Sequence, residues 1–162
     1  MRYLHAGETG LVVEFGNEIS PDINNKIKQL VDFFDCRKDI GIIEILPTYR
    51  SLLISYNPLE ISFGNLKEII ELAFKKSETN ESKSFSREIV EIPVFYGGEL
   101  GPDLDFVANY NQLSSEEVVK IHSSEEYLIY MIGFTPGFPY VGGMSEKIAT
   151  PRLQTPRTKI PA

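Results

Sequence analysis

Residues 133–143 read GFTPGFPYVGG, with four glycines, two prolines and three aromatics in eleven positions. No other stretch restricts the fold so severely. Pro136 and Pro139 lack backbone donors and fix φ, while Gly133, Gly137, Gly142 and Gly143 permit conformations that other residues avoid. The run is too broken for a helix or a plain strand, and too apolar for a solvated linker. It specifies one irregular path, along which Phe134, Phe138 and Tyr140 take definite positions. Two readings follow. The three aromatics wall a ligand site, or the run is a stiff corner between barrel strands with its aromatics packed in the core. Composition by itself favours the corner.

The rest of the chain sets limits around this run. Its 162 residues are 42% hydrophobic and 24% charged, an ordinary globular balance with room for a core. The net charge is −7, and nucleic-acid binding would need a clustered basic face. The cations near the end, Arg152, Arg157 and Lys159, suit a small anionic substrate better. Cys36 is the single cysteine, which leaves no intramolecular disulfide and no paired-cysteine metal site; it reads as a buried or half-buried thiol near a helix end. The two histidines, His5 and His122, have no ligand spacing, so no metal is expected. The start, MRYLHAGETG, has no apolar leader and no apolar run reaches membrane-spanning length; a cytoplasmic location is expected.

The patterning predicts β-β-α-β-β-α over the first half. A short strand covers 10–16. Ser20 and Pro21 open a helix whose Ile23, Ile27, Leu30, Val31 and Phe34 share one face. Strands at 42–46 and 51–56 flank Pro47-Thr48-Tyr49-Arg50 as a hairpin. Ser62 caps a second helix over 63–76, with Leu66, Ile69, Ile70, Ala73 and Phe74 inward. Residues 77–84, SETNESKS, are polar without apolar anchors and read as a linker. The expected division is therefore an α+β domain over 1–84 and a second domain over 85–162. The second opens with a strand at 87–94 and the loop YGGELGPD at 96–103. Helices at 103–110 and, from a Ser114/Glu117 capping box, to His122 come next. A strand at 126–132 then enters the 133–143 run.

Several of these residues have chemistry to offer. In the 96–103 loop, Glu99 and Asp103 supply carboxylates for acid–base work or for orienting a substrate amine. Asp103, after Pro102 and before an apolar helix, reads as an N-cap, whereas Glu99 stays open between loop structure and site. His122 reads as a cation at a helix C-terminus, and His5 as a packed or exposed residue beside an N-terminal strand. Arg152 and Arg157 each follow a proline. They fit bidentate capture of a carboxylate or phosphate, or else pair with local acids on the surface.

Taken in order, IPVxYGGExGPDL from Ile92, GFxPGFPYxGG from Gly133 and the pairs Pro151-Arg152 and Pro156-Arg157 resemble the KipI family. Its members are also called 5-oxoprolinase B subunits or allophanate hydrolase subunit 1. Gly7-Glu8 and the strand Leu11-Val12-Val13-Glu14-Phe15-Gly16 resemble the family's opening. The resemblance implies a small α+β domain followed by a cyclophilin-like β-barrel. It implies one subunit of an ATP-dependent 5-oxoprolinase, which opens 5-oxo-L-proline to L-glutamate together with KipA-like and LamB/YcsF-like subunits. Such a chain is inactive alone, and ATP binds in the complex at a place this chain does not reveal. On this reading Tyr96, Phe134, Pro136, Gly137, Phe138, Tyr140, Arg152 and Arg157 bind substrate, and Glu99 is the catalytic candidate. Two alternatives from the same family are an inhibitor of a sensor histidine kinase and a subunit of urea or allophanate metabolism. Family members continue past the Ile160-Pro161-Ala162 where this sequence ends, so the barrel is expected to be incomplete.

Overall fold

The structure, a computed structural model, describes residues 1–35, 37, 40–79, 88–155 and 157. Cys36, Pro156, Lys159 and residues 80–84 of the expected linker lie outside the described residues. Two compact units are present. One comprises Met1–Ser86 with Ile129–Val141, the other Arg87–Leu128 with Gly142–Ala162.

The first unit carries β1 (Arg2–His5), β2 (Gly10–Glu14), α1 (Pro21–Asp35), β3 (Ile42–Pro47), β4 (Ser51–Tyr56) and α2 (Phe63–Thr79). This is the predicted β-β-α-β-β-α order, in an antiparallel sheet arranged β1-β2-β4-β3. The caps act as their chemistry requires. Ser20 Oγ accepts from Ile23 N and Ser62 Oγ accepts from Asn65 N, both at 3.2 Å. Thr48 ties the β3–β4 turn, its Oγ1 accepting from Ser51 N at 3.1 Å. The sheet gives Leu11, Val13, Leu52 and Ile54 to the core, and the helices give Ile27, Leu30, Phe34, Leu66 and Ile70, all nearly or fully buried. Period 2 from the strands and period 3.6 from the helices meet in one apolar layer. Instead of stopping near residue 76, α2 runs to Thr79, because 77–79 have no residue that forbids helix.

β5 (Leu128–Ile132) and β6 (Pro139–Gly142) pair with each other around the 133–138 loop. The 133–143 run is thus half loop and half strand. β5 begins two residues later than the expected 126. Asn24 on α1 donates its side-chain amide to the carbonyl of Tyr130 on β5 at 3.1 Å.

The second unit holds α3 (Leu104–Asn111), α4 (Ser115–Ser123) and a 3₁₀ turn at Glu146–Ile148. Ala108, Val118 and Ile148 form its small core. The Ser114 box forms as predicted: Ser114 Oγ accepts from Glu117 N at 3.2 Å, and the Glu117 carboxylate accepts from Ser114 N at 2.8 Å. These bonds hold the Glu117 carboxyl below its usual range, the backbone bond most. The expected strand at 87–94 is not formed. Its described residues are irregular, with Ile89, Val90, Ile92 and Val94 all more than half exposed. Alternation alone makes a strand only where a partner edge completes the ladder, and no described segment pairs with this one. Among the described residues no helix is long and apolar enough to cross a membrane.

Candidate functional site

Five rings in the first unit form a continuous row. Tyr130 on β5 meets Tyr49 of the β3–β4 turn at 5.5 Å between centroids, and Tyr49 meets Tyr140 on β6 edge-on at 5.7 Å. Tyr140 contacts Phe138 at 5.3 Å, and Phe138 contacts Phe134 at 5.8 Å, both edge to face. The row runs from Tyr130, buried, to Phe134, 86% exposed. Burial, and then the neighbouring Tyr140 and Tyr130, push the Tyr49 phenol above its usual pKa.

The reading of the 133–143 aromatics as core residues is therefore corrected. Phe134 and Phe138 stand on the surface because the 133–138 loop closes on itself. Gly133 N donates to Phe138 O at 3.0 Å and Phe138 N to Thr135 O at 3.1 Å, which turns the side chains outward. Phe134 also has φ 64, in the left-handed region, where a bulky side chain is strained. Pro136 and Gly137 form the exposed tip between the two phenylalanines.

In the second unit the 96–103 loop is closed by Gly101 N donating to Gly97 O at 3.0 Å. A side chain at Gly101 would overlap the Gly97 backbone nitrogen, so the loop needs glycine there. Tyr96, half-buried, places its hydroxyl 2.7 Å from Nδ1 of His122 on α4. The Tyr127 hydroxyl donates to the His122 carbonyl at 2.8 Å. Burial, and then Tyr96 and Glu125, raise the pKa of the Tyr127 phenol. His122 is thus a partner of Tyr96 and not simply a cation at a helix end. The two residues are 26 positions apart, and no spacing rule links them.

Glu99 is exposed on the loop. Asp103 occupies the N-cap position of α3, but its side chain makes no capping bond. Its φ of −91° and ψ of −5° leave the extended region from which a cap side chain reaches the helix amides. The carboxylate instead takes the guanidinium of Arg157, with one bond of 2.6 Å and a second, shorter one between Arg157 Nη2 and Asp103 Oδ1. That fork lowers the Asp103 pKa and raises that of Arg157. Arg152 is exposed. Of the candidate residues, Phe134, Pro136, Gly137, Phe138 and Tyr140 come together in the first unit. Tyr96, Glu99, Arg152 and Arg157 belong to the second. Sequence reasoning missed Tyr49, which reads only as a turn residue, and the two partnerships of His122 and Asp103.

The family model described as carboxyltransferase domain, subdomain C and D, matches residues 1–162. The 5-oxoprolinase B subunit of Bacillus subtilis (strain 168) is 41% identical over 165 residues, covering 96% of this chain. The chain belongs to the KipI family of 5-oxoprolinase B subunits. A second KipI-family member, from Escherichia coli O157:H7, is 35% identical over 96% of the chain. The chain spans 68% and 69% of the lengths of these two relatives. The crystal structure of TTHA0988 superposes with a TM-score of 0.77 at 31% identity, over 94% of this chain and 29% of that one. The urea amidolyase of K. lactis superposes at 0.57 with 18% identity, which relates the fold alone.

Proposed function

We propose that this chain is the B subunit of an ATP-dependent 5-oxoprolinase, opening 5-oxo-L-proline to L-glutamate together with KipA-like and LamB/YcsF-like subunits. The observation that carries the reading is the 41% identity to a 5-oxoprolinase B subunit over 96% of the chain. Urea amidolyase from Lachancea kluyveri is 24% identical over 81% of the chain, so urea chemistry has weaker support. The proposed organisation is an α+β domain over 1–84 and a cyclophilin-like domain over 85–162, in a cytoplasmic complex where ATP binds.

Within that complex, Phe134, Phe138 and Tyr140 wall the substrate with Pro136 and Gly137 between them. Supporting this, Phe134 keeps a left-handed backbone while 86% exposed, a strain that burial does not offset. Arg152 holds the substrate carboxylate. Arg157 already grips a carboxylate, that of Asp103, and orders the loop that carries Tyr96 and Glu99. Glu99 orients a substrate or partner group.

The test is reconstitution with the two other subunits and assay of 5-oxoproline-dependent ATP hydrolysis. This chain alone is expected to be inactive. Arg152→Ala is expected to raise KM by about tenfold or more, the scale of a lost charge-assisted bond. Full activity in both Arg152→Ala and Arg157→Ala would remove the carboxylate clamp.

A further inference from the structure

We propose that His122 is a positioning residue that commits the Tyr96 hydroxyl proton to its own Nδ1, leaving the Tyr96 oxygen to act only as an acceptor toward substrate. The inference rests on the proposed 5-oxoproline reading and names the end of the substrate that meets Tyr96.

The Tyr96 hydroxyl oxygen is 2.7 Å from His122 Nδ1, and the two rings meet edge to face at 5.7 Å. The imidazole is held from two other directions. Tyr127 contacts its ring at 5.3 Å, and the Tyr127 hydroxyl donates to the His122 backbone carbonyl. A ring fixed by its backbone and by two aromatic neighbours offers one direction at Nδ1, and that direction is filled by Tyr96. Among the described residues Nε2 makes no hydrogen bond, so it carries the proton of the neutral ring while Nδ1 accepts. A phenol has one proton to donate and two lone pairs. With the proton spent on His122, only a donor group can satisfy the oxygen. A small cyclic substrate of this class has one such donor, the ring N–H of the lactam, while its carboxylate and carbonyl are acceptors. Tyr96 therefore reads the N–H edge, and the anionic end lies elsewhere, with arginine.

Two measurements test this. In this chain labelled with ¹⁵N-histidine, His122 is expected to show an unprotonated Nδ1 and a protonated Nε2 at neutral pH. A protonated Nδ1 overturns the proposal whatever the enzyme does. In the reconstituted complex, the probe is the ring-oxygen analogue, 5-oxotetrahydrofuran-2-carboxylate, which lacks the N–H. Its inhibition constant is expected to exceed the KM for 5-oxoproline by about tenfold in the wild type, the worth of one hydrogen bond to a neutral group. Tyr96→Phe should bring that ratio close to one by raising KM with little change in kcat. His122→Phe should also lower the ratio, whereas His122→Asn, which keeps a polar group near the Nδ1 position, should restore most of it. A ratio unchanged in Tyr96→Phe overturns the role of Tyr96, and one unchanged in His122→Phe overturns that of His122. A wild-type complex without 5-oxoproline-dependent ATP hydrolysis would instead overturn the proposed function, with the tautomer result still standing.

Discussion

Asn24 sits 1% exposed on α1, the buried polar side chain among the described core residues. Its Nδ2 holds the Tyr130 carbonyl, and its Oδ1 has no hydrogen-bond partner. Asn24→Ala would remove one unsatisfied acceptor but create another at Tyr130 and leave a small void. The expected loss is about 1–2 kcal/mol, read as a lower denaturation midpoint at unchanged m-value. An unchanged midpoint would show that this bond contributes nothing. The Asp103–Arg157 fork couples stability to pH. The folded-state Asp103 pKa is depressed, so the pair's contribution is fully present above the ordinary carboxylate range. It is lost as pH falls through the lower folded value. The stability difference between wild type and Arg157→Gln should therefore be constant near neutrality and shrink on acidification. Because both groups are exposed, it should also shrink in high salt. A difference that grows in acid would contradict the fork.

At the scale of elements, α1 and α2 were legible because every cue agreed: an N-cap serine, period-3.6 apolar residues and no internal breaker. The 133–138 loop is the opposite case, where local preference and conformation disagree at one residue. Phe134 holds a left-handed φ without being buried, at a cost on the order of 1 kcal/mol. Phe134→Gly should relax that strain and lose little packing. The expected outcome is a melting temperature equal to or above that of the wild type, with reduced turnover in the reconstituted complex. A clear fall in melting temperature would mean that the exposed ring stabilises the fold, and its strain would then need no functional explanation. Gly137, with φ 78 at the tip of the same loop, explains why the turn closes so tightly between Thr135 and Phe138.

Across the whole molecule, the two units differ in what holds them. The first has sheet and helix residues such as Leu11, Leu52, Ile54, Leu66 and Ile70 with no exposed surface. The second rests on Ala108, Val118 and Ile148 with a few half-buried neighbours. Local stability follows buried apolar contact, so amide exchange should be slowest in β2, β4 and α1 and faster in α3 and α4. Equal protection in α3 and β4 would show that something beyond the visible core secures the second unit.

Features encoded within a few residues of one another could be read directly from the chain. Those are the α1 and α2 faces, the caps at Ser20, Ser62 and Ser114, the β3–β4 hairpin and the ordered motifs that place the chain in its family. The pairings between distant residues emerged only in three dimensions. His122 meets Tyr96, Asp103 turns from its helix to Arg157, and Tyr49 joins the row that ends at Phe134. Residues 88–94 show the same limit from the other side, since their alternation is a strand pattern without a partner edge. Short-range preferences are written into neighbouring side chains. The partner of a polar or aromatic group far along the chain depends on where folding carries both.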